Sequence, residues 1–318
     1  MPIRFATLAS GSKGNCSLVE HAGRFLMIDI GLAPNSLLGR LRKIGVDISA
    51  VSEVVLTHTH GDHINDRSLE ILAAQGIPLR CHASHASALA AKSGFAELAS
   101  RSLVLPYDET PFPTFTGLHV HPLRVRHGAG RTYGFRITCH DRSREMRTDL
   151  GYVADLGCWN DRTAAHFRNC AILAVEFNHD VRMTIESRRH FMVKQRNLSN
   201  DGHLSNVQAR DLVRAIVSKS DQARPEHLVL LHISEDCNTH EIAIDAARDA
   251  LGCSGAIDAA VFAAPQREPL EWLKPSMESA CNFAQSSSIA SDKSPCPANG
   301  LAKVASDTMM QQEFRFPV

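Results

Sequence analysis

Four side chains able to bind a metal fall within six residues: His58, His60, Asp62 and His63. They follow an apolar run, residues 51–56, and precede a helical pattern, so they occupy the loop after a strand. Imidazole and carboxylate suit zinc and other first-row ions. Along a strand, alternate residues face opposite sides. On a loop the backbone can turn His58 and His60 toward one ion and Asp62 and His63 toward another. A polar loop rich in histidine by chance is the competing explanation, and the density of ligands after a buried-type strand weighs against it.

Six residues cannot close a two-metal site, so the remaining ligands must come from elsewhere. Three candidates stand where apolar runs end: His127 after 118–126, Asp155 after 151–154 and His232 near the end of 228–233. Singly, each is more readily a satisfied structural residue. Together with the cluster, they fit sheets that present ligands at one edge.

The elements that must carry these residues read as a mixture. Residues 5–9, 17–20, 25–30, 51–56, 118–126, 133–139, 151–154, 171–177 and 228–233 have strand patterns. Helices are expected at 35–44, capped by Asn35 and stopped by Gly45, and at 68–75, 84–92, 206–218 and 241–251. Sheets with helices outside them follow, an α/β class. The composition changes near Pro275 to Ser, Ala and Pro with little periodicity. Residues 1–270 are therefore expected as the domain and 271–318 as a disordered or loosely attached tail.

Composition narrows the function classes. Lys plus Arg and Asp plus Glu number 34 each in 318 residues, so net charge alone gives no argument for nucleic acid. Nine cysteines without a Cys-x-x-Cys pair argue against a zinc finger or disulfide framework and for buried thiols in a cytoplasmic protein. No signal-peptide pattern and no apolar run of about 20 residues is present, so no membrane association is expected. The 17 histidines are the unusual number.

The order Asp29, His58-x-His60-x-Asp62-His63, His127, Asp155, His232 resembles the five ordered motifs of the metallo-β-lactamase superfamily. The resemblance implies an αββα four-layer sandwich with the site between two sheets. It implies His58, His60 and His127 on one ion, Asp62, His63 and His232 on the other, Asp155 bridging, and Asp29 orienting ligands by hydrogen bonds. A turn Asp beside Gly31 is the alternative for Asp29. A narrower resemblance, to the YycJ/WalJ-type branch, rests on residues 8–15, Glu176-Phe177-Asn178-His179-Asp180, Gly202-His203-Leu204-Ser205-Asn206 and residues 231–238. It implies a phosphodiesterase, with 5′-to-3′ DNA exonuclease activity in some members. This chain departs where members usually carry Asp after the third-motif His, having Gly128 instead, and in its tail.

The expected function is thus hydrolysis of a phosphodiester, DNA cut from an end in particular. Two divalent ions, zinc first and manganese or iron otherwise, would generate hydroxide from water as the nucleophile. Asp62, besides being a ligand, and His203 are the expected catalytic residues, His203 as an acid for the leaving oxygen. Ser205 and Asn206 are expected either to bind substrate phosphate or to cap the following helix, and the two roles are compatible. Asn178-His179-Asp180 is expected to support ligands or substrate. Backbone N–H groups of residues 10–15 are offered to an anion or are simply a turn. Arg182, Arg188, Arg189, Lys194 and Arg196 track a nucleic-acid backbone or form a solvated face. Rival functions are a small-molecule metallohydrolase acting on a cyclic phosphodiester, lactone or thioester, and a non-catalytic binding module.

Overall fold

The computed structural model describes residues 3–276, apart from 129, 142–145 and 222–223, together with the backbone of 281–282. The elements below are those of the described residues.

Strands in the middle of both sheets are apolar on both faces, which is the pattern of strands covered from two sides. In β3 (Arg24–Ile28), Leu26 and Ile28 face one way and Met27 the other. β11 (Ile172–Glu176) and β12 (His227–Leu231) alternate likewise, Ile172, Ala174, Val229 and Leu231 against Leu173, Val175, Leu228 and Leu230. The first sheet continues through β4 (Val51–Val55), β5 (Leu79–His82) and β6 (Val104–Tyr107) on one side of β3. On the other side lie β2 (Cys16–His21), β1 (Arg4–Ala9) and β14 (Leu270–Leu273). The second sheet runs β13 (Ala260–Ala263), β12, β11, β10 (Met146–Val153), β9 (Thr132–Asp141), β8 (His119–Val125) and β7 (Phe112–Pro113). Off this path, β15 (Cys281–Asn282) pairs with β10. In each sheet antiparallel strands lead into parallel ones, from β3 through β6 and from β10 through β13.

Three apolar clusters separate four layers. Between the sheets lie Phe5, Val19, Leu26, Ile28, Phe135 and Tyr152 among others. Outside the first sheet, α1 (Pro34–Lys43), α2 (Asp66–Gln75), α3 (His85–Leu89) and α4 (Ser93–Ser100) bury Leu37, Leu41, Leu69, Leu72, Leu89 and Leu98. Outside the second sheet, α5 (Asp161–His166), α8 (Asn206–Ser218) and α9 (His240–Ser254) bury Ala164, Leu212, Val213, Ile216 and Ala247. Two short helices, α6 (Val181–Glu186) and α7 (Phe191–Asn197), lie between β11 and α8 in the chain. The result is the αββα sandwich.

Several sequence expectations need correction. Asn35 does not cap α1: the helix begins at Pro34 after Ala33 with no side-chain cap, and the fixed φ of proline starts it. The helix expected over 84–92 is shorter, His85–Leu89, and a further helix that was not expected starts at Ser93, where Asp66 accepts hydrogen bonds from the Ser93 and Gly94 N–H groups. A domain boundary at 270 cuts through β14. That strand pairs with β1, and its Trp272 packs on Phe25, lies under the Arg4 guanidinium and donates to the Ile44 carbonyl. Most of the expected tail lies outside the described residues.

Candidate metal centre

Each candidate ligand leaves the carboxyl end of a strand or the turn just past it. This is where open α/β sheets place their functional groups. β3 leads to Asp29, β4 to the loop holding His58, His60, Asp62 and His63, β8 to His127, β10 to Asp155, β11 to Glu176 and β12 to His232. Because all these ends lie on one edge, seven side chains distant in sequence converge. His58, His60, His127 and Asp155 form one group, and Asp62, His63, Asp155 and His232 a second. Within each group the donor atoms lie within 4.8 Å of one another, and Asp155 belongs to both. One Asp155 oxygen stands 3.2 Å from His63 and 3.4 Å from His58 and His127, while the other is 3.7 Å from His232.

The electrostatics of this cluster fit a bound cation. Burial by itself would raise the Asp155 carboxyl, but the imidazoles of His232, His63 and His127 hold it well below the usual carboxylate range. Burial and the neighbouring His63 push His58 well below the ordinary imidazole value. His63 is driven the other way, its burial outweighed by Asp155, Asp29 and Asp62. His60 points a ring nitrogen at those of His58, 3.0 Å away, and His127, 3.2 Å away. Asp155 Oδ1 is buried without a hydrogen-bond partner. Crowded nitrogens, buried carboxylates and an orphaned oxygen fit divalent metal ions of the borderline class.

Neighbours fix the ligands in place, as outer hydrogen bonds do at metal sites. Asp29 Oδ2 is 2.7 Å from His63 Nδ1, and its Oδ1 accepts from the Thr57 N–H at 2.7 Å. His127 Nδ1 reaches the Gly202 carbonyl at 2.7 Å. The Asn15 amide donates to Asp62 Oδ2 at 3.0 Å, and the Asn15 backbone N–H donates to the Asp62 carbonyl at 2.7 Å. Asn178 lies 3.0 Å from His232 Nδ1. Gly128, in a left-handed conformation at φ 55°, closes on the site: a Cβ there would come within 3.1 Å of the His60 ring.

His203 is brought to the same place, its ring stacked on His232 at 5.0 Å and 16°. Its Nδ1 is 2.6 Å from Glu176 Oε1. Glu176 is buried, and its other oxygen accepts from the Leu156 and Leu204 N–H groups. Burial, with the charge of Asp155, pushes the Glu176 carboxyl up to about 8. Burial brings His203 down to about 4. Glu176, Asn15 and Thr57 had no assigned role in the sequence, whereas Asn178 supports a ligand as the Asn178-His179-Asp180 expectation has it. An acidic residue at the end of the wholly apolar run 171–175 was the one available signal for Glu176.

Other expected residues are placed elsewhere. Ser205 and Asn206 do not present themselves to substrate: both are buried. Ser205 forms a capping box with Gln208, Asn206 pairs with Asn238, and the Asn206 N–H donates to the His179 carbonyl. His179 touches Asn178 at 3.3 Å and none of the donor groups, so any support it gives His232 runs through Asn178. Most N–H groups of loop 10–15 are already taken: Asn15 Oδ1 accepts from Gly11, and those of Ser10, Lys13, Gly14 and Asn15 bond to Pro265, Gln266, Gly11 and Asp62. The basic run divides. Arg189 pairs with Asp236 and lines the pocket at His203, and Arg196 approaches Gly128 beside His60. Arg182 pairs with Glu186, and Lys194 donates to the Ile185 carbonyl.

The profile of the Beta-lactamase superfamily domain matches residues 28–233, which span all seven candidate ligands but not Asn15. Exodeoxyribonuclease YycJ of Bacillus anthracis is 28% identical over 244 residues, covering 76% of this chain and 87% of that protein. Exodeoxyribonuclease WalJ of Streptococcus pneumoniae is 28% identical over 243 residues, covering 76% and 85%. Among solved structures, the metallo-beta-lactamase fold protein YhfI of Bacillus subtilis superposes with TM-score 0.61 at 17% identity, over 85% of this chain and 99% of that one. A diphosphatase of the PhnP family superposes with TM-score 0.57 at 16% identity, over 86% and 98%. The chain belongs to the beta-lactamase superfamily and is a metal-dependent hydrolase, similar over three quarters of its length to the exodeoxyribonucleases YycJ and WalJ.

Proposed function

We propose that the protein hydrolyses phosphodiester bonds, removing nucleotides from an end of DNA, with two divalent cations of which zinc is the first choice. The observation that carries this is the Glu176–His203 pair, 2.6 Å apart, with the His203 ring stacked on that of His232 in the ligand cluster. A diester needs a proton at its leaving oxygen, and this pair holds one there. His58, His60 and His127 would hold one cation, Asp62, His63 and His232 the other, and Asp155 both. Cations bound there would lower the pKa of water and neutralise charge on phosphoryl oxygens.

The chain's own groups do the rest. Glu176 occupies His203 Nδ1, which leaves Nε2 to serve the leaving oxygen. Asp62, held by Asn15 and about one-fifth exposed, faces both the cluster and solvent. The pocket at His203 and His232 has a volume of about 200 Å³. That is smaller than the ~300–1,000 Å³ of ordinary ligand sites and favours a strand end over a continuous duplex. The relatives named exodeoxyribonucleases support the same choice.

The test is a substrate panel with metal-loaded protein: bis-p-nitrophenyl phosphate, single- and double-stranded DNA, a thioester and a lactone. Cleavage of the diester and of DNA from an end is expected. Turnover confined to the thioester or lactone would overturn the proposal.

A further inference from the structure

A second cavity lies on the far side of His127, with a volume of about 530 Å³. We propose that it is a track for the phosphodiester backbone of the strand beyond the bond being cut, an inference that rests on the diesterase function above. Its walls carry three guanidiniums, from Arg124, Arg126 and Arg162. Leu123 and Cys158, both buried, lie beneath them, and His127 forms the boundary with the metal centre. A strand held here therefore runs directly past a residue of the ligand cluster.

The arrangement follows from the local structure. At the end of β8 the burial alternates, Leu123 and Val125 inward, Arg124 and Arg126 outward. Two residues of strand separate equivalent positions by about 7 Å, so the two arginines form a row. Arg162 comes from α5, behind which Thr163 and Ala164 are buried.

Two carboxylates also line the cavity. Asp201 takes Arg126 in a two-pronged contact, 2.7 and 3.1 Å, which fixes that guanidinium in place, and Glu109 lies 3.7 Å from Arg131. Among the described residues Arg124 and Arg162 form no ion pair with a carboxylate, and both are exposed. Guanidinium matches phosphate with paired donors, and a cationic row on a neutral protein concentrates the attraction in one groove. The apolar floor suits the face of a sugar or base. A repeated diester meets both demands, whereas a lone small diester is already accommodated at the metal centre.

The test uses the full-length, metal-loaded protein and the variants Arg124→Glu, Arg162→Glu and the double variant. Activity is measured on single-stranded oligonucleotides of increasing length, from a dinucleotide to a decamer, and on bis-p-nitrophenyl phosphate. Thermal midpoints verify folding, and Arg124→Lys with Arg162→Lys supplies a charge-conserving control. In the wild type kcat/KM should rise with length. The double Glu variant should lose at least tenfold of that gain, mainly through KM. Its slope of log affinity against log salt should become shallower by about 1.4, the value for two phosphate contacts on a single strand. The Lys pair should retain most of the gain. A folded double Glu variant that keeps the full length-dependence and salt slope would overturn the groove, as would a wild type that cleaves small and long diesters equally well. A wild type that cleaves no diester would overturn the proposed function, and the groove with it.

Discussion

His203 and Glu176 share one short contact but are not equivalent. If His203 serves the leaving oxygen, His203→Ala should lower kcat by about 10²-fold on DNA, whose leaving group is a poor one. Loss on bis-p-nitrophenyl phosphate should be much smaller, because nitrophenolate departs without a proton. Metal content should be unchanged, and equal losses on both substrates would argue for a structural role. Glu176→Gln keeps a neutral partner for the ring and should cost less than Glu176→Ala. The Ala variant strands the buried Leu156 and Leu204 N–H groups, a loss of roughly 1–3 kcal/mol each that denaturant melts would register. The His/Asp cluster was legible in the sequence because four ligands crowd into one loop. Asn15 was not, since a single Asn in a turn has the same appearance whether it bonds a ligand or the backbone. Ser205 misled because a helix-capping hydroxyl and a phosphate donor demand the same residue.

Among the elements, the loop after β3 and the His loop are in direct contact. A Cβ on Gly31 would lie 1.8 Å from the Asp62 carbonyl oxygen. Gly31→Ala must therefore shift the Asp62–His63 segment, and elemental analysis should show fewer than the wild-type number of ions along with a lower thermal midpoint. Ser205→Ala removes one capping box from α8, at a cost of about 1 kcal/mol. In a chain of this size that is a fall of about 1–2 °C in Tm. The KM for a small diester should not change, and a raised KM would restore Ser205 to substrate binding. α8 was legible to the residue because its apolar period and its cap agree. β14 was not, since a short edge strand after a long separation gains its partner only from β1. The start of α4 also depends on a distant group, the Asp66 carboxylate.

For the molecule as a whole, the buried histidines outside the site govern behaviour in acid. Burial, then the nearby Arg136, lowers His166 to about 3, while its Nε2 stands 3.1 Å from the His121 carbonyl. An unfolded His takes up a proton near 6.5, so between there and about 3 the unfolded chain binds the extra proton. The stability from a neutral His166 is complete above pH 6.5 and declines as the pH falls toward 3. His166→Gln, which keeps a donor for that carbonyl, should flatten the acid side of the stability profile by up to about 1.4 kcal/mol per pH unit. An unchanged profile in urea melts from pH 7 to 4 would refute this. Removal of metal by a chelator should lower Tm reversibly, because the folded state alone assembles the donor groups. The neutral total charge, legible from composition, conceals how charge is placed: the cationic row along β8 exists only once the strand has set the alternation.

Asp29 and His232 share a further property, backbone in the left-handed region, at φ 59° and 53°. Asp, Asn and His are among the few residues besides glycine that accept it. The two positions are thus constrained twice, by backbone and by the group they must offer. Under mutational drift the backbone admits chiefly glycine, asparagine, aspartate and histidine, and only the last two supply a carboxylate or an imidazole. Exchange to glutamate or cysteine, which an extended backbone would permit, is strained here. The choice of metal-binding chemistry at these two positions is thereby narrowed to His and Asp.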